Sequence, residues 1–244
     1  MLCLLAWAAG IIDAVSYLGL GRVFTAMMTG NTVLLALAIG QGEAMAVVRS
    51  ALALAGFSVG AATGALIVTR ERIRGEWPPS VTAALAVEAV LLAGFTAVWH
   101  VAGTVLTSGS TNLLIVLSGL AMGVQAAAVR HLGIPGVATT YLTGTLTSLM
   151  AELVAWTGSR AGSLSRATSR AETARDASVS VGWSQRIGLL TGVFFVYALG
   201  ALAGGALHAR SSTLVAWLPL AAVVVVVANG AIRHRHEERG SRGG

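Results

Sequence analysis

A series of long apolar runs, separated by short polar stretches, constrains this fold more than any other feature of the sequence. Only 11% of the 244 residues are charged and the mean hydropathy is +0.78, whereas soluble domains carry about a quarter charged residues. Runs of this length match the hydrocarbon core of a bilayer. They lack the two-residue alternation of a membrane β-barrel. We therefore predict an all-α polytopic membrane protein with eight apolar segments: 1–20, 24–40, 46–69, 80–101, 111–130, 137–157, 187–208 and 213–232.

The charges indicate membrane topology rather than a charged ligand. The chain has 16 arginines, no lysine and a formal net charge of +6. The arginines lie at the ends of apolar runs and not on one basic face, which argues against a nucleic-acid partner. A single cysteine, Cys3, excludes an internal disulfide and a multi-cysteine metal site. We expect the lipid bilayer as the surroundings and no metal or cofactor, and we leave a homo-oligomer open.

An internal repeat organises the chain. Residues 14–33 align without a gap on residues 128–147, with eight identical pairs in twenty, among them Thr25 with Thr139 and Gly30 with Gly144. Each copy is followed by a G-x-x-x-G pattern, which we interpret as close helix packing; its glycines are Gly60, Gly64, Gly200 and Gly204. The alignment predicts two membrane repeats, 1–103 and 104–232. A flexible, polar cytoplasmic loop at 158–186 lies in the second repeat, and a disordered basic tail follows at 233–244.

Two topologies fit the repeat. If all eight segments cross, the halves are parallel and the arginines divide about ten to six between the two sides. If the second segment of each half is broken or re-entrant, each half crosses three times and the halves are inverted. The arginines then divide thirteen to three, with only Arg22, Arg49 and Arg210 outside. The positive-inside rule favours this second topology. Both place the two termini and the 158–186 loop in the cytoplasm.

The two broken segments carry the candidate solute site. Short Gly/Pro-interrupted segments at matching positions of two halves are typical of transporter binding sites. Threonine hydroxyls and free N–H groups at half-helix ends can hold a small polar or anionic solute. Helix packing is the alternative, because small residues and threonines also join membrane helices. The candidate residues are Thr29, Gly30, Asn31, Thr140, Thr143 and Gly144.

Polar side chains within the spans are the other candidates. Asp13 lies two-thirds along the first span, where a carboxylate costs several kcal/mol. It either binds a proton or cation, or satisfies the broken backbone of the second segment. Glu88, in the middle of the fourth segment, is the second acidic candidate. Gln125 lies two positions out of register with Asp13 and is its neutral counterpart, and such an asymmetric pair suits one bound proton or ion.

Three classes of function were compared. A small secondary transporter would work by moving one inverted half against the other, with or without proton coupling. An intramembrane enzyme is disfavoured, because the second aspartate, Asp176, lies in the polar loop and residues 106–109 read L-T-S-G rather than G-x-S-G. A non-transporting assembly or regulatory protein, docking through residues 158–186, remains the alternative.

The same motifs resemble those of a known family. The stretches GIIDAVSYL and VFTAMMTGNTVLL in the first half, with MGVQAAAVRHLG and VATTYLTGTLT in the second, are similar to the YoaK family of bacterial integral membrane proteins. The resemblance implies a multi-pass protein of the bacterial cytoplasmic membrane and leaves its activity open. The family often has an asparagine after the glutamine, where this chain has Ala126. The family's motif positions fall on Gly10, Asp13, Phe24, Thr29, Gly30, Asn31, Gly123, Gln125, Thr140, Thr143 and Gly144.

Overall fold

Every regular element that the structure describes is a helix. The computed structural model describes residues 1–69, 77–103, 106–134, 139–140, 142–165, 170–210 and 212–242. The helices are α1 (Leu2–Gly19), α2 (Met28–Gln41), α3 (Ala44–Val68), α4 (Pro79–Ala102), α5 (Ser108–His131), α6 (Leu142–Ser165), α7 (Arg170–Arg210), α8 (Ser212–Val215) and α9 (Trp217–Arg242). The predicted all-α polytopic architecture is confirmed.

Within the described residues, six helices are long and apolar enough to cross a membrane. They are α1, α3, α4, α5, the part of α7 from Gln185 to Arg210, and the part of α9 from Trp217 to Arg235. The α2 helix has 14 residues, about 21 Å at 1.5 Å per residue, which is shorter than a hydrocarbon core of about 30 Å. Neither α2 nor α6 is among the six. The number of candidate spans is therefore that of the six-crossing topology.

Contacts between helix ends give the direction of each span. A Cβ built on Gly19, the last residue of α1, would lie 2.8 Å from the Trp99 ring and 3.1 Å from the His208 ring. The ends of α1, α4 and α7 therefore share one face of the bundle, called face A. At the opposite end, called face B, Thr82 near the start of α4 contacts His234 near the end of α9 at 3.3 Å.

The α3 and α5 helices are parallel to each other and run from face A to face B. Gly60 of α3 lies against Leu120 of α5, and Gly64 lies against Val124, so the contacts occur in the same order along both helices. Because α5 follows closely after the end of α4, it starts on face A. It follows that α1, α4 and α7 run toward face A, whereas α3, α5 and α9 run toward face B. The segment between α1 and α3 thus leaves and returns on face A, and the segment between α5 and α7 on face B.

The helix contacts occur in matching pairs. The α1 helix packs on α7 as α5 packs on α3, α1 packs on α9 as α5 packs on α4, and α2 packs on α3 as α6 packs on α7. The glycine contacts match as well: Gly10 lies against the carbonyl of Tyr197, and Gly123 against the carbonyl of Phe57. Each of these contacts made by a helix of residues 1–103 thus has an equivalent contact made by the corresponding helix of residues 104–232. The internal repeat itself stays a prediction from sequence.

Gly123→Ala is expected to destabilise the protein by about 1–3 kcal/mol, the range for an overpacked interior. Its Cβ would overlap the Phe57 carbonyl and lie 2.6 Å from the Ala61 nitrogen, so α3 and α5 would have to separate. The matched control is Gly94→Ala, where the nearest atoms are the Leu117 methyls at 3.9 Å; it should be neutral or slightly stabilising. Thermal unfolding in detergent compares the two. Equal destabilisation would contradict the predicted close packing.

The polar segment differs from its prediction. Residues 158–186 were expected to be a flexible loop, yet α6 continues to Ser165 and α7 begins at Arg170, with 166–169 outside the described residues. The tail, expected to be disordered, continues α9 to Arg242. Alanine and arginine make up ten of the 29 residues of 158–186, and arginine is the commonest residue of the tail. Both have high helix propensity, which outweighs the lack of an apolar face. At the membrane end of the segment, Arg186 pairs with Glu152 of α6 at 3.0 Å.

Candidate functional site

Asp13 holds the segment that re-enters the bundle from face A. Its Oδ1 accepts hydrogen bonds from the backbone N–H groups of Thr25 (2.9 Å) and Ala26 (2.7 Å). Its Oδ2 accepts one from the hydroxyl of Tyr197 on α7, at 2.6 Å. Asp13 lies six residues before the end of α1, about 9 Å along the helix axis, so residues 20–26 penetrate well below face A. Of the two readings of Asp13, this geometry matches the one in which the carboxylate satisfies broken backbone.

The turn that brings the chain back into the bundle has left-handed backbone. Gly21 has φ +85° and Arg22 has φ +62°, a conformation that glycine adopts readily and other residues rarely. Below this turn, the Ser16 and Thr25 hydroxyls lie 3.0 Å apart in a buried hydrogen bond. Together with the Asp13 and Tyr197 contacts, this bond closes the bundle on the face A side.

Asn31 and Gly30 shape the start of α2. The Asn31 Oδ1 accepts a hydrogen bond from the Phe24 N–H at 2.9 Å, and its Nδ2 donates to the Phe24 carbonyl. A Cβ on Gly30 would lie 3.1 Å from the Phe24 ring, so the ring packs closely on the glycine. Asn31 is fully buried. Both residues therefore position the broken backbone, and neither lines the cavity described below.

Gln125 makes the related contact in the second half. It lies six residues before the end of α5, as Asp13 does before the end of α1. Its Nε2 donates to the Thr139 hydroxyl at 2.9 Å and to the Leu5 carbonyl at 3.3 Å. Thr139 is the residue that aligns with Thr25 in the sequence repeat. Asp13 and Gln125 thus hold the two aligned threonines, each from the first helix of its own half.

A cavity of about 950 Å³ lies between α3, α5 and the starts of α2 and α6. It extends to face B, where Arg130, an exposed residue at the end of α5, is part of its wall. The starts of α2 and α6 belong to segments that enter from opposite faces, and both reach this one cavity. Its lining is Ala26, Met28, Thr29, Phe57, Ala61, Ala65, Val68, Thr69, Ala126, Ala127, Val129, Arg130, His131, Ile134, Thr139, Thr140, Gly144 and Ser148.

The cavity occupies the place where the other half has its Asp13–Tyr197 contact. Counted from the matched glycines, Ala126 stands three residues after Gly123 as Asp13 stands three after Gly10. Phe57 in turn lies under Gly123 as Tyr197 lies under Gly10. The second half therefore has an alanine and a phenylalanine in place of the hydrogen-bonded acid and phenol. Phe57 and Ala126 both line the cavity, and the small alanine side chain contributes to its open space.

The structure brings some of the predicted site residues together and separates others. Thr29, Thr140 and Gly144 line the cavity, and Gln125 lies behind it through Thr139. Thr143 is exposed and does not line it. Glu88 is fully buried on α4, away from the lining, and neither of its carboxylate oxygens has a hydrogen-bond partner among the described residues.

Sequence reasoning missed several residues of the site. The sequence patterns give Arg130 only the role of a topology signal, and they give His131 no role beyond its place in the MGVQAAAVRHLG stretch. Phe57 and Tyr197 carried no local signal. The matching of Gly60 with Gly200 does place Phe57 and Tyr197 at equivalent positions, three residues before each glycine. The equivalence of Phe57 and Tyr197 in the sequence repeat was therefore the one sequence signal that could have pointed to these two residues.

Comparison with known proteins identifies the family. Residues 1–229 match the family described as "Protein of unknown function (DUF1275)". Over 153 residues the chain is 43% identical to the UPF0700 transmembrane protein YoaK of Bacillus subtilis (strain 168). That match spans 63% of this chain and 66% of the relative, just under two thirds of its length. No solved structure gives a significant match. The resemblance to the YoaK family is confirmed, and the chain belongs to the DUF1275 family as a multi-pass transmembrane protein related to YoaK.

Proposed function

We propose that this protein is a small secondary transporter whose solute site is the cavity at the starts of α2 and α6. One observation supports it above all: two broken segments, entering from opposite faces, end at one cavity inside the bundle. Non-helical backbone is tolerated at membrane depth where it is buried in protein or lines a water-filled cavity. Binding sites between discontinuous helices near the midplane are the usual arrangement in such transporters.

The transport cycle follows from the difference between the two faces. In this conformation the cavity reaches face B, while the Asp13, Tyr197, Ser16 and Thr25 contacts close face A. Each of these hydrogen bonds contributes about 0.5–1.5 kcal/mol net, so a few kcal/mol separate the closed from the open arrangement. Because the two halves run in opposite directions, rocking one against the other would close face B and open face A.

The arginine distribution gives the orientation of the proposed cycle. Thirteen of the 16 arginines fall on the face B side of the six-crossing topology, which makes face B cytoplasmic by the positive-inside rule. Both termini then lie in the cytoplasm of a bacterial cell. The conformation described here is the one that opens inward. For proton coupling, Glu88 is the acidic candidate that remains, because both oxygens of Asp13 already accept hydrogen bonds, Oδ1 from the re-entrant segment and Oδ2 from Tyr197.

Alternating accessibility tests the proposal without a known solute. In a Cys3→Ser background, single cysteines replace Ala126 in the cavity and Ser16 on the closed side. We expect a charged, impermeant thiol reagent to modify Ala126→Cys from face B. Ser16 is fully buried, yet a transporter opens it periodically, so Ser16→Cys should react slowly from face A. Ser118→Cys is the matched control, since Ser118 is equally buried within α5 and should stay unreactive.

A disulfide provides the second arm of this test. The Ser16 and Thr25 hydroxyl oxygens are 3.0 Å apart, so cysteines at both positions should form a disulfide on oxidation and hold face A closed. Ala126→Cys should then react faster from face B, because the inward-open state is the only one left. If Ser16→Cys never reacts and the disulfide leaves labelling at Ala126 unchanged, the protein does not alternate. A fixed assembly or regulatory protein would then be the better description.

A further inference from the structure

The charge of the cavity has one sign. Its titratable lining residues are Arg130 and His131, which are adjacent at the end of α5, and no carboxylate of the described residues lines it. Among the described residues, the ion pair that is formed joins Arg186 and Glu152. No acidic group of these residues pairs with Arg130. An arginine without an internal partner, facing a cavity, can bind a carboxylate, sulfonate or phosphate through two N–H donors.

Further polar atoms lie around this arginine. The Nε2 atom of His131 is buried and has no hydrogen-bond partner among the described residues. Because this atom is inaccessible to a water molecule, it lies behind the cavity wall and does not face the open space. Thr139, Thr140 and Ser148 add hydroxyl groups to the wall from the side of α6. The polar groups are thus concentrated where α5 ends and α6 begins.

The rest of the wall is mostly apolar, with Thr29 and Thr69 as the exceptions. Phe57, Ala126, Ala127, Val129 and Ile134 lie on the α3 and α5 side of the cavity. Its volume of about 950 Å³ is at the upper end of the range of roughly 300–1,000 Å³ for small-molecule sites. An inorganic anion would leave this apolar wall without contact, whereas a fully apolar molecule would leave Arg130 without a partner. A molecule with both an anionic and an apolar part satisfies the whole lining.

From these features, and resting on the proposed transport function, we infer the class of solute. The cavity takes a small organic anion, an aryl or short alkyl carboxylate or sulfonate, with its acidic group at Arg130 and its apolar body against Phe57 and the alanines of α5. Ala126 acts as a specificity-determining residue, because its small side chain leaves room for the apolar body. This assigns a ligand role to Arg130, to which the sequence patterns give only the role of a topology signal, and to Ala126, where the family often has an asparagine.

Equilibrium binding to the purified protein in phosphatidylcholine nanodiscs tests this inference. The probe is radiolabelled benzenesulfonate, which stays anionic at all accessible pH values. Neutral benzenesulfonamide and cationic benzyltrimethylammonium are the matched competitors. We expect saturable binding of one benzenesulfonate, with at least about tenfold weaker competition by the neutral and cationic analogues. Inorganic sulfate should compete weakly, because it lacks the apolar body.

Variants of the lining separate a specific site from general charge. Arg130→Gln should weaken benzenesulfonate binding about tenfold or more, while Arg130→Lys keeps part of the affinity. Arg233→Gln, an exposed residue near the end of α9 on the same face, is the control for lost surface charge and should bind normally. Ala126→Phe should abolish binding by filling the cavity. Size-exclusion chromatography identifies any variant that fails to fold, and Arg130→Lys remains informative in that case.

Three outcomes would overturn the inferred solute class. These are stronger binding of the cationic analogue, equal losses in Arg130→Gln and Arg233→Gln, and loss of benzenesulfonate binding in nanodiscs that contain phosphatidylglycerol. The last outcome would show that an anionic lipid headgroup is the occupant. Because the assay measures binding at equilibrium, it is independent of transport. Benzenesulfonate binding without alternating accessibility would support the inferred ligand class and contradict the transport function. Alternating accessibility without benzenesulfonate binding would support transport and contradict the ligand class.

Discussion

Asp13→Ala is expected to unfold or release the re-entrant segment on face A. The substitution leaves three donors without an acceptor: the Thr25 and Ala26 N–H groups and the Tyr197 hydroxyl. Each buried donor left unsatisfied costs about 1–3 kcal/mol, and the whole protein has a stability of only about 5–15 kcal/mol. The measurement is unfolding in detergent, together with protease cleavage within residues 20–27. A variant with wild-type stability would show that water replaces the carboxylate at no cost.

Two matched variants divide the effect of Asp13 between its partners. Tyr197→Phe leaves one buried acceptor, the Asp13 Oδ2, without its donor and should cost about 1–3 kcal/mol. Asp13→Asn keeps an oxygen for the two backbone donors, and should therefore be closer to Tyr197→Phe than to Asp13→Ala. If Asp13→Asn is instead as damaging as Asp13→Ala, the charge of the carboxylate matters more than its position as an acceptor.

Glu88→Met is expected to stabilise the protein. Glu88 is fully buried, and its two carboxylate oxygens have no hydrogen-bond partner among the described residues. Burying an unpartnered polar group costs about 1–3 kcal/mol by protein mutational data, and methionine fills a similar volume without a polar atom. The free energy of unfolding should rise by a comparable amount. If Glu88 also couples a proton to transport, the stabilised variant should alternate poorly in the cysteine-labelling assay.

Glu152→Met is the control for that substitution. Glu152 is paired with Arg186, whose side chain is about half exposed. Ion pairs of this exposed kind are worth about 0–1 kcal/mol, so the variant should change little and in the destabilising direction. A loss of stability in Glu88→Met would indicate that Glu88 has a partner in the folded protein, such as an ordered water.

The spans and the broken segments could be predicted from sequence because both depend on local properties. Hydropathy over about 20 residues identifies a crossing. The glycines and threonines within the stretch at 24–40 predicted that this segment is broken or re-entrant. The arginine count then favoured six crossings over eight. The helices at 158–165 and 170–186 were missed, because the absence of an apolar face was given more weight than the helix propensity of alanine and arginine.

The cavity could not be predicted in the same way, because it depends on contacts between distant parts of the chain. Asp13 and Tyr197 are 184 residues apart, and the sequence left both readings of Asp13 open for that reason. Ala126 and Phe57 are ordinary apolar residues, and their importance lies in what they replace. Asn31 shows a different difficulty: a polar residue in a span suggests a solute contact, and sequence alone does not reveal that its amide hydrogen-bonds to the neighbouring Phe24 backbone.

The crossed packing of the two halves bears on how the chain is assembled in the membrane. Gly60 and Gly64 of α3 lie on α5, and Gly10 of α1 lies on α7, so each half supplies the surface on which the other is completed. As the chain emerges from the ribosome, α1 and α3 insert before their partners exist, with these glycine surfaces facing lipid. Synthesis of the first 103 residues alone should therefore give a membrane-inserted fragment that degrades rapidly, and coexpression of the remaining residues should rescue it. Two separately encoded chains could have formed the same bundle.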